Sequence, residues 1–299
     1  MELRHLRYFV LLAEELHFGR AADRLGISQP PLSQQIRALE AELGVRLFDR
    51  TSRRVALTPA GTLFLPAAQR TLDEAQRAVA IALRAAHGDL GDLRVGFNAS
   101  APFIPRVATA IHDYRQRYPD VRLSLTEFAG PAPVDAIAAG TLDVGFVRAS
   151  RPPVLPAALT ATLLLEEQLF IGMRPDHRLA RGDGVRLVQM GGEPMVVYAN
   201  ERSGGSTDEF FRLMRQASME PVVAQKVHEV STLLGLAAAG VGMVVVAASL
   251  RAIQSAGLIY QPILDEGAVS SMWLVRRRDG VTAPCANFLA LMDVCPADG

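Results

Sequence analysis

The sequence is poor in cysteine, in lysine and in net charge. Its 299 residues hold two cysteines, Cys285 and Cys295. Two are too few for a disulfide framework, and their ten-residue separation fits no zinc-ligand pattern. A reducing, cytoplasmic compartment is expected. The six histidines are scattered without metal spacing, so no metal is expected. No GxGxxG or GxSxG stretch is present, and the Gly-rich RSGGSTDE lacks the lysine of a phosphate-binding loop. These absences predict no cofactor and no enzymatic centre. Lys226 is the only lysine among 31 basic residues, and 31 acidic residues bring the formal charge to +0. That excludes a globally basic nucleic-acid binder and leaves room for a locally basic one.

Long apolar runs are also scarce. The N-terminus, MELRHLRYFVLLAEEL, has no signal-peptide layout, because Glu14 and Glu15 close a short uncharged run. Leu233 to Leu250 is 18 residues without a charge, but Gly240 and Gly242 punctuate it. A short buried helix, a glycine turn and a buried parallel strand explain it better than a membrane span.

What is present is ordinary globular material, 49% hydrophobic and 21% charged, at about twice single-domain length. In the first sixty residues Leu6, Phe9, Val10, Ala13 and Leu16 recur at helical spacing. A second short helix carries Phe18, Ala21, Ala22 and Leu25 and ends at Gly26. Ser28 reads as an N-cap, with Pro30 and Pro31 in the first turn. Leu32, Ile36, Leu39 and Leu43 form the inner face of the third helix, and Gln29, Ser33, Gln34 and Arg37 point outward. This is a helix-turn-helix pattern with amide and hydroxyl side chains where base edges would be read. Two short strands follow, with Arg50, Arg53 and Arg54 around their turn. Four arginines against one aspartate from Arg46 to Arg54 suit phosphate or minor-groove contact. A solvated helix face in a small helical domain is the bland alternative.

Thr58-Pro59 opens a long helix to about Ala86. Leu72, Ala75, Val79, Leu83 and Ala86 make a near-heptad seam, and Pro66 should kink or break it. From Leu93 strands and helices alternate, which predicts parallel sheets with helices on both faces and, at about two hundred residues, two lobes. Ser100, Arg148, Arg202 with Ser203, and Ser231 with Thr232 fall where strands give way to helices. In open α/β sheets ligands sit outside the carboxyl ends of strands, where helix N-termini offer N–H groups to anions. Two facing lobes would converge these loops on one cleft, and the arginines favour a carboxylate. Taken singly, each Ser or Thr is as well explained as a helix cap.

SQPPLSQQIRALEAELGVRLFDRTSRRVALTPAG resembles the signature of LysR-type transcriptional regulators, and MELRHLRYFV and FGRAADRLGIS match the same family. FGRAADRL, GDLGDLRVGF and EVSTLLGLAAAGVGM are similar to the subgroup governing aromatic-compound catabolism. The resemblance implies an α/β chain with an N-terminal all-α winged helix-turn-helix and a two-lobed effector domain like the periplasmic binding proteins. It implies a DNA-binding domain over 1–58, a dimerising helix over 59–87 and an effector domain over 91–299. The lobes would be about 91–163 with 267–299, and about 164–266. Implied partners are double-stranded operator DNA, RNA polymerase, a small carboxylate effector, aromatic or muconate-like, and further copies of the chain as a dimer of dimers. Operator contacts fall to Gln29, Pro30, Ser33, Gln34, Arg37, Arg50, Arg53 and Arg54. Effector contacts fall to Ser100, Phe128, Arg148, Arg202, Ser203 and Thr232. A solute-binding or enzymatic α/β protein, which the sensor portion alone would permit, is disfavoured by the N-terminal reader.

Overall fold

Short-range apolar spacing builds the N-terminal unit. A computed structural model describes residues 1–50, 54–199 and 205–294, so Arg53, Arg202, Ser203 and Cys295 lie outside the described residues. The chain divides into two compact units, Met1–Arg84 and Ala85–Gly299. In the first, α1 (Leu3–Glu15), α2 (Phe18–Leu25) and α3 (Gln29–Leu43) bury Leu6, Phe9, Leu12, Ala21, Ala22, Leu32, Ile36 and Leu39 together. Gly26 and Gly44 end α2 and α3 at φ 68° and 71°, a conformation an L side chain resists. Ser28 occupies the N-cap position of α3, but its side chain makes no capping bond.

Strands β1 (Phe48–Arg50) and β2 (Val55–Leu57) pair antiparallel and lead to α4 (Pro59–Ala86). Thr58 caps α4: its Oγ1 accepts from the Gly61 N–H at 2.9 Å and donates to the Arg46 carbonyl at 2.8 Å. α4 runs unbroken through Pro66. The helix forgoes one backbone bond there and keeps its place because Phe64, Leu65 and Ala68 pack into the core on either side. Leu72 also packs against this core, whereas Val79 and Leu83 are exposed. The expected seam therefore begins beyond Leu72.

The second unit is a mixed sheet rather than the parallel sheets expected. β3 (Gly91–Phe97) lies between β4 (Val121–Glu127) and β5 (Val144–Arg148), parallel to both. α5 (Pro105–Arg117), α6 (Ala132–Ala138) and α9 (Ala283–Leu291) accompany them. β6 (Leu159–Met173) and β11 (Val269–Arg277) then cross between two lobes in opposite directions. Leu159 to Gln168 of β6 run along β11, with a bulge at Leu164, and Leu169 to Met173 pair with β9 (Val244–Ala247) and β10 (Ile259–Pro262). All these pairings are antiparallel, because a chain that leaves a lobe must return. The strand pairing changes lobes at Gln168/Leu169, five residues beyond the division read from the sequence. β7 (Pro194–Tyr198) and β8 (Val222–Val227) pair in parallel, with α7 (Ser206–Gln216) and α8 (Val230–Ala238) on this lobe.

The uncharged stretch from Leu233 resolves into α8, a turn at Gly240 (φ 85°) and β9. β9 is antiparallel to β6, and Met243, just before it, forms a parallel bridge with Met195 of β7. No described helix is long and apolar enough to cross a membrane. Cys285 lies on the buried face of α9 and packs into the core with Phe288 and Leu289, and burial pushes its thiol up to about 12.

Gly61 provides a test of the winged unit. A Cβ there would stand 2.1 Å from the Leu47 carbonyl oxygen, a backbone atom that cannot swing away. Gly61→Ala should destabilise this unit by about 1–3 kcal/mol. In calorimetry of the full chain, the transition of the N-terminal unit should fall while that of the second unit stays. An unmoved N-terminal transition would contradict the packing described here.

Candidate functional site

Two surfaces collect the residues singled out by the sequence. On the N-terminal unit, Gln29, Pro30, Gln34 and Arg37 are exposed along α3, and Ser33 is half-buried. Gln35 is turned aside: its Oε1 bonds His5 Nε2 at 2.9 Å, tying α3 to α1. Arg54 is exposed beside β2. Arg50 is engaged within this unit. Its guanidinium pairs with Glu40 and stands 5.3 Å over the Phe18 ring, and burial lowers its pKa. Arg50 ties the end of β1 to α3.

In the second unit a cavity of about 380 Å³ opens at the carboxyl ends of β3, β4 and β5. Lobe I contributes Asn98, Ser100, Glu127, Phe128 and Arg148, and lobe II contributes Tyr198, Gly205, Ser206, Thr207, His228, Glu229, Val245 and Leu250. Ser100, Phe128 and Arg148 are thus brought together. Thr232 is not: α8 begins at Val230 with Glu229 as its N-cap, so Thr232 falls within the first turn, on its exposed side. His228 and Glu229 take the place at the cavity that Ser231 and Thr232 were expected to fill.

Arg148 is 6% exposed and lies where the chain crosses between lobes. All three guanidinium nitrogens point at protein acceptors. Nε donates to Ser100 Oγ at 3.0 Å, one terminal nitrogen to Ser270 Oγ at 3.3 Å, and the other to Glu167 Oε2 at 2.6 Å. Burial lowers its pKa, and the Glu167 carboxylate opposes that shift. Glu167 in turn accepts from the Ser249 N–H at 2.9 Å and from its Oγ at 3.0 Å. Ser249 precedes Leu250 in a short 3-10 turn, Ala248–Ala252, so the network joins both lobes. Ser100 Oγ also donates to Asn98 Oδ1 at 3.1 Å.

The first turn of α7 forms the opposite wall. Thr207 is 7% exposed, and Ser206 Oγ donates to Ser270 Oγ at 3.4 Å. The first-turn N–H groups of a helix lack intrahelical partners and favour an anion. In this same first turn Glu209 is buried, yet its pKa is lowered. Burial alone would raise it, but hydrogen bonds from Arg212 and Ser150 and the charges of Arg212 and Arg151 prevail. The remaining wall is acidic. Burial, and then the carboxylates of Glu229 and Glu127, push the Tyr198 hydroxyl pKa up and keep it a proton donor. Among the described residues no group of His, Cys, Asp or Glu could hold a metal ion.

Sequence reasoning missed Glu167, Ser249, Thr207 and Glu40. The signal for Glu167 was present: two adjacent glutamates interrupt the apolar strand LLLEEQLFIGM, and a carboxylate in a buried strand requires a partner.

Comparison with known proteins covers both units. Residues 3–62 match the bacterial regulatory helix-turn-helix protein, lysR family, and residues 86–295 match the LysR substrate binding domain. The chain is 43% identical over 287 residues to the HTH-type transcriptional regulator YnfL of Escherichia coli, covering 96% of each. It resembles full-length CbnR complexed with its target DNA at a TM-score of 0.82 and 28% identity, covering 98% of this chain and 99% of that one. The BenM effector binding domain with its effector benzoate matches at a TM-score of 0.60 and 28% identity, over 68% of this chain and 90% of that one.

The buried ion pair makes a sharp prediction. Glu167→Ala leaves the Arg148 charge uncompensated and should cost about 3–5 kcal/mol. Arg148→Met combined with Glu167→Leu should recover most of that loss, because both charges leave together. Urea unfolding followed by the single tryptophan, Trp273 in β11, reads the effect. A double variant no more stable than Glu167→Ala would contradict the pairing.

Proposed function

Because this chain belongs to the LysR family of DNA-binding transcriptional regulators and is not an enzyme, we propose that its interlobe cavity binds a small carboxylate that controls transcription. The observation carrying this reading is the cavity itself, where Arg148 and Ser100 in lobe I face the open first turn of α7 in lobe II. A carboxylate between them meets the positive end of α7, the Thr207 hydroxyl and the Arg148 charge. Phe128, Val245 and Leu250 offer apolar contact to the body of the ligand, which suits an aromatic acid or a muconate-like product. Benzoate as the effector of the BenM domain supports this class. Arg202 and Ser203 belong to the proposed site on sequence grounds alone. Occupancy changes the lobe geometry only to the extent that the ligand binds one geometry more tightly than another.

In the same reading, Gln29, Ser33 and Gln34 read base edges of operator DNA, and Arg37, Arg53 and Arg54 engage the phosphates, with Pro30 setting the first turn of α3. Two copies join along α4 and pairs of dimers form a tetramer that bends DNA and contacts RNA polymerase. Val79 and Leu83, 60% and 56% exposed, are the apolar surface available for that seam. Val79→Asp with Leu83→Asp should give smaller particles in sedimentation and weak operator binding, since one reader covers one half-site. Unchanged particle mass would remove the seam from α4.

Calorimetric titration of the full chain with benzoate, cis,cis-muconate and neutral analogues tests the effector. Carboxylates should bind. Ser100→Ala should weaken them roughly ten- to a hundred-fold by removing a buried, charge-assisted bond. Thr232→Ala, outside the cavity lining, should bind like the parent. If only neutral or cationic compounds bound, the carboxylate assignment would be wrong.

A further inference from the structure

A DNA-reading helix has an electrostatic reason to exclude carboxylates, because each one repels the phosphates it approaches. α3 nevertheless carries Glu40, and its side chain is turned inward, 12% exposed. Both of its oxygens are in use. Oε1 accepts from the backbone N–H of Leu47 at 2.9 Å and of Phe48 at 3.1 Å. Oε2 accepts from Arg50, whose guanidinium lies over the Phe18 ring of α2. One carboxylate therefore gathers α3, the start of β1 and, through Arg50, α2. The segment it holds is tied from the other side as well: the Thr58 N–H donates to the Leu47 carbonyl at 3.0 Å. Arg46 and Arg37, both exposed, lie close enough to Arg50 for their charges to depress its ionisation. Glu40 thus holds the one arginine, Arg50, around which the solvent-facing Arg37 and Arg46 are grouped.

We propose that Glu40 is a positioning residue of the DNA-contacting surface, clamping Arg46–Arg50 to α3 so that Arg46 stands beside Arg37 as a phosphate-binding pair. Arg50 is then the internal counter-ion of the clamp and not a DNA contact. The proposal rests on the DNA-binding role of the family and is independent of the effector assignment. Loss of the clamp releases the segment that bears Arg46, so fewer phosphates are neutralised even though a negative charge has been removed.

That sign is the test. Binding of the full chain to a random-sequence DNA duplex is followed by fluorescence anisotropy across a salt series. A solvated carboxylate near DNA would, when removed, tighten binding. Glu40→Ala should instead weaken binding at low salt about tenfold or more and lower the slope of log K against log salt by about one to two. Arg46→Ala and Arg37→Ala should each lower the slope by about one, and Glu40→Ala added to Arg46→Ala should lower it little further. Glu40→Gln, which keeps an acceptor for the Leu47 and Phe48 amides but lacks the charge for Arg50, should fall between parent and Glu40→Ala. Partial unfolding would reduce the active fraction and leave the slope of the remainder unchanged. Equal or tighter binding by Glu40→Ala, or weaker binding at an unchanged slope in both Glu40 variants, would overturn the proposal.

Discussion

The pairing of Arg148 with Glu167 is the constraint on which the sensor unit depends. Arg148 ends β5 in one lobe, Glu167 lies on β6 just before the pairing passes to the other, and Ser249 belongs to that other lobe. Two charges drawn from water are costly, and this pair is tolerable only because every oxygen and nitrogen in it is bonded. A buried pair of this kind contributes specificity of geometry more than stability. It fixes how the two lobes meet and thereby shapes the cavity between them. It also tempers the simplest view of ligand recognition. An arginine engaged by Ser100, Ser270 and Glu167 supplies field to an incoming carboxylate, while the readily available N–H donors lie on the first turn of α7.

The N-terminal unit repeats the logic at smaller scale. There Glu40 and Arg50 neutralise one another beneath the outer face of α3, on which Gln29, Gln34 and Arg37 remain exposed. In both units an arginine expected to touch a ligand is engaged first with a carboxylate of its own chain. The local charge of each surface is therefore set by which arginines are left unpaired, a quantity that composition alone does not contain.

Most of the helical architecture was legible because its signals are local. Leu6 and Phe9, or Leu32, Ile36 and Leu39, lie within a few residues of one another and bury together as their spacing predicts, whereas Leu16, read on the same face as Leu6, is exposed. The mixed sheet was not legible in the same way. β11 pairs with a strand about a hundred residues earlier, Val269 opposite Gln168, and nothing local marks that partnership. β6 hid its length because Glu166 and Glu167 interrupt its apolar run where it leaves one lobe for the other. β8 hid because an exposed edge strand such as VVAQKV has no buried face to alternate against. Ser100, Phe128 and Arg148 line one cavity because strand ends converge in such folds. Thr232 was misjudged by half a helical turn, since Glu229, and not a hydroxyl residue, occupies the N-cap of α8.

The central claim is that a small carboxylate bridges the lobes across this cavity. Hydrogen exchange of the full-length protein with and without saturating carboxylate tests it most directly. The account predicts slower exchange at two separated segments, Asn98 to Ala101 in one lobe and Ser206 to Glu209 in the other, with the α3 amides of the DNA-binding unit less affected. Protection confined to one lobe, or found only away from both segments, would contradict it.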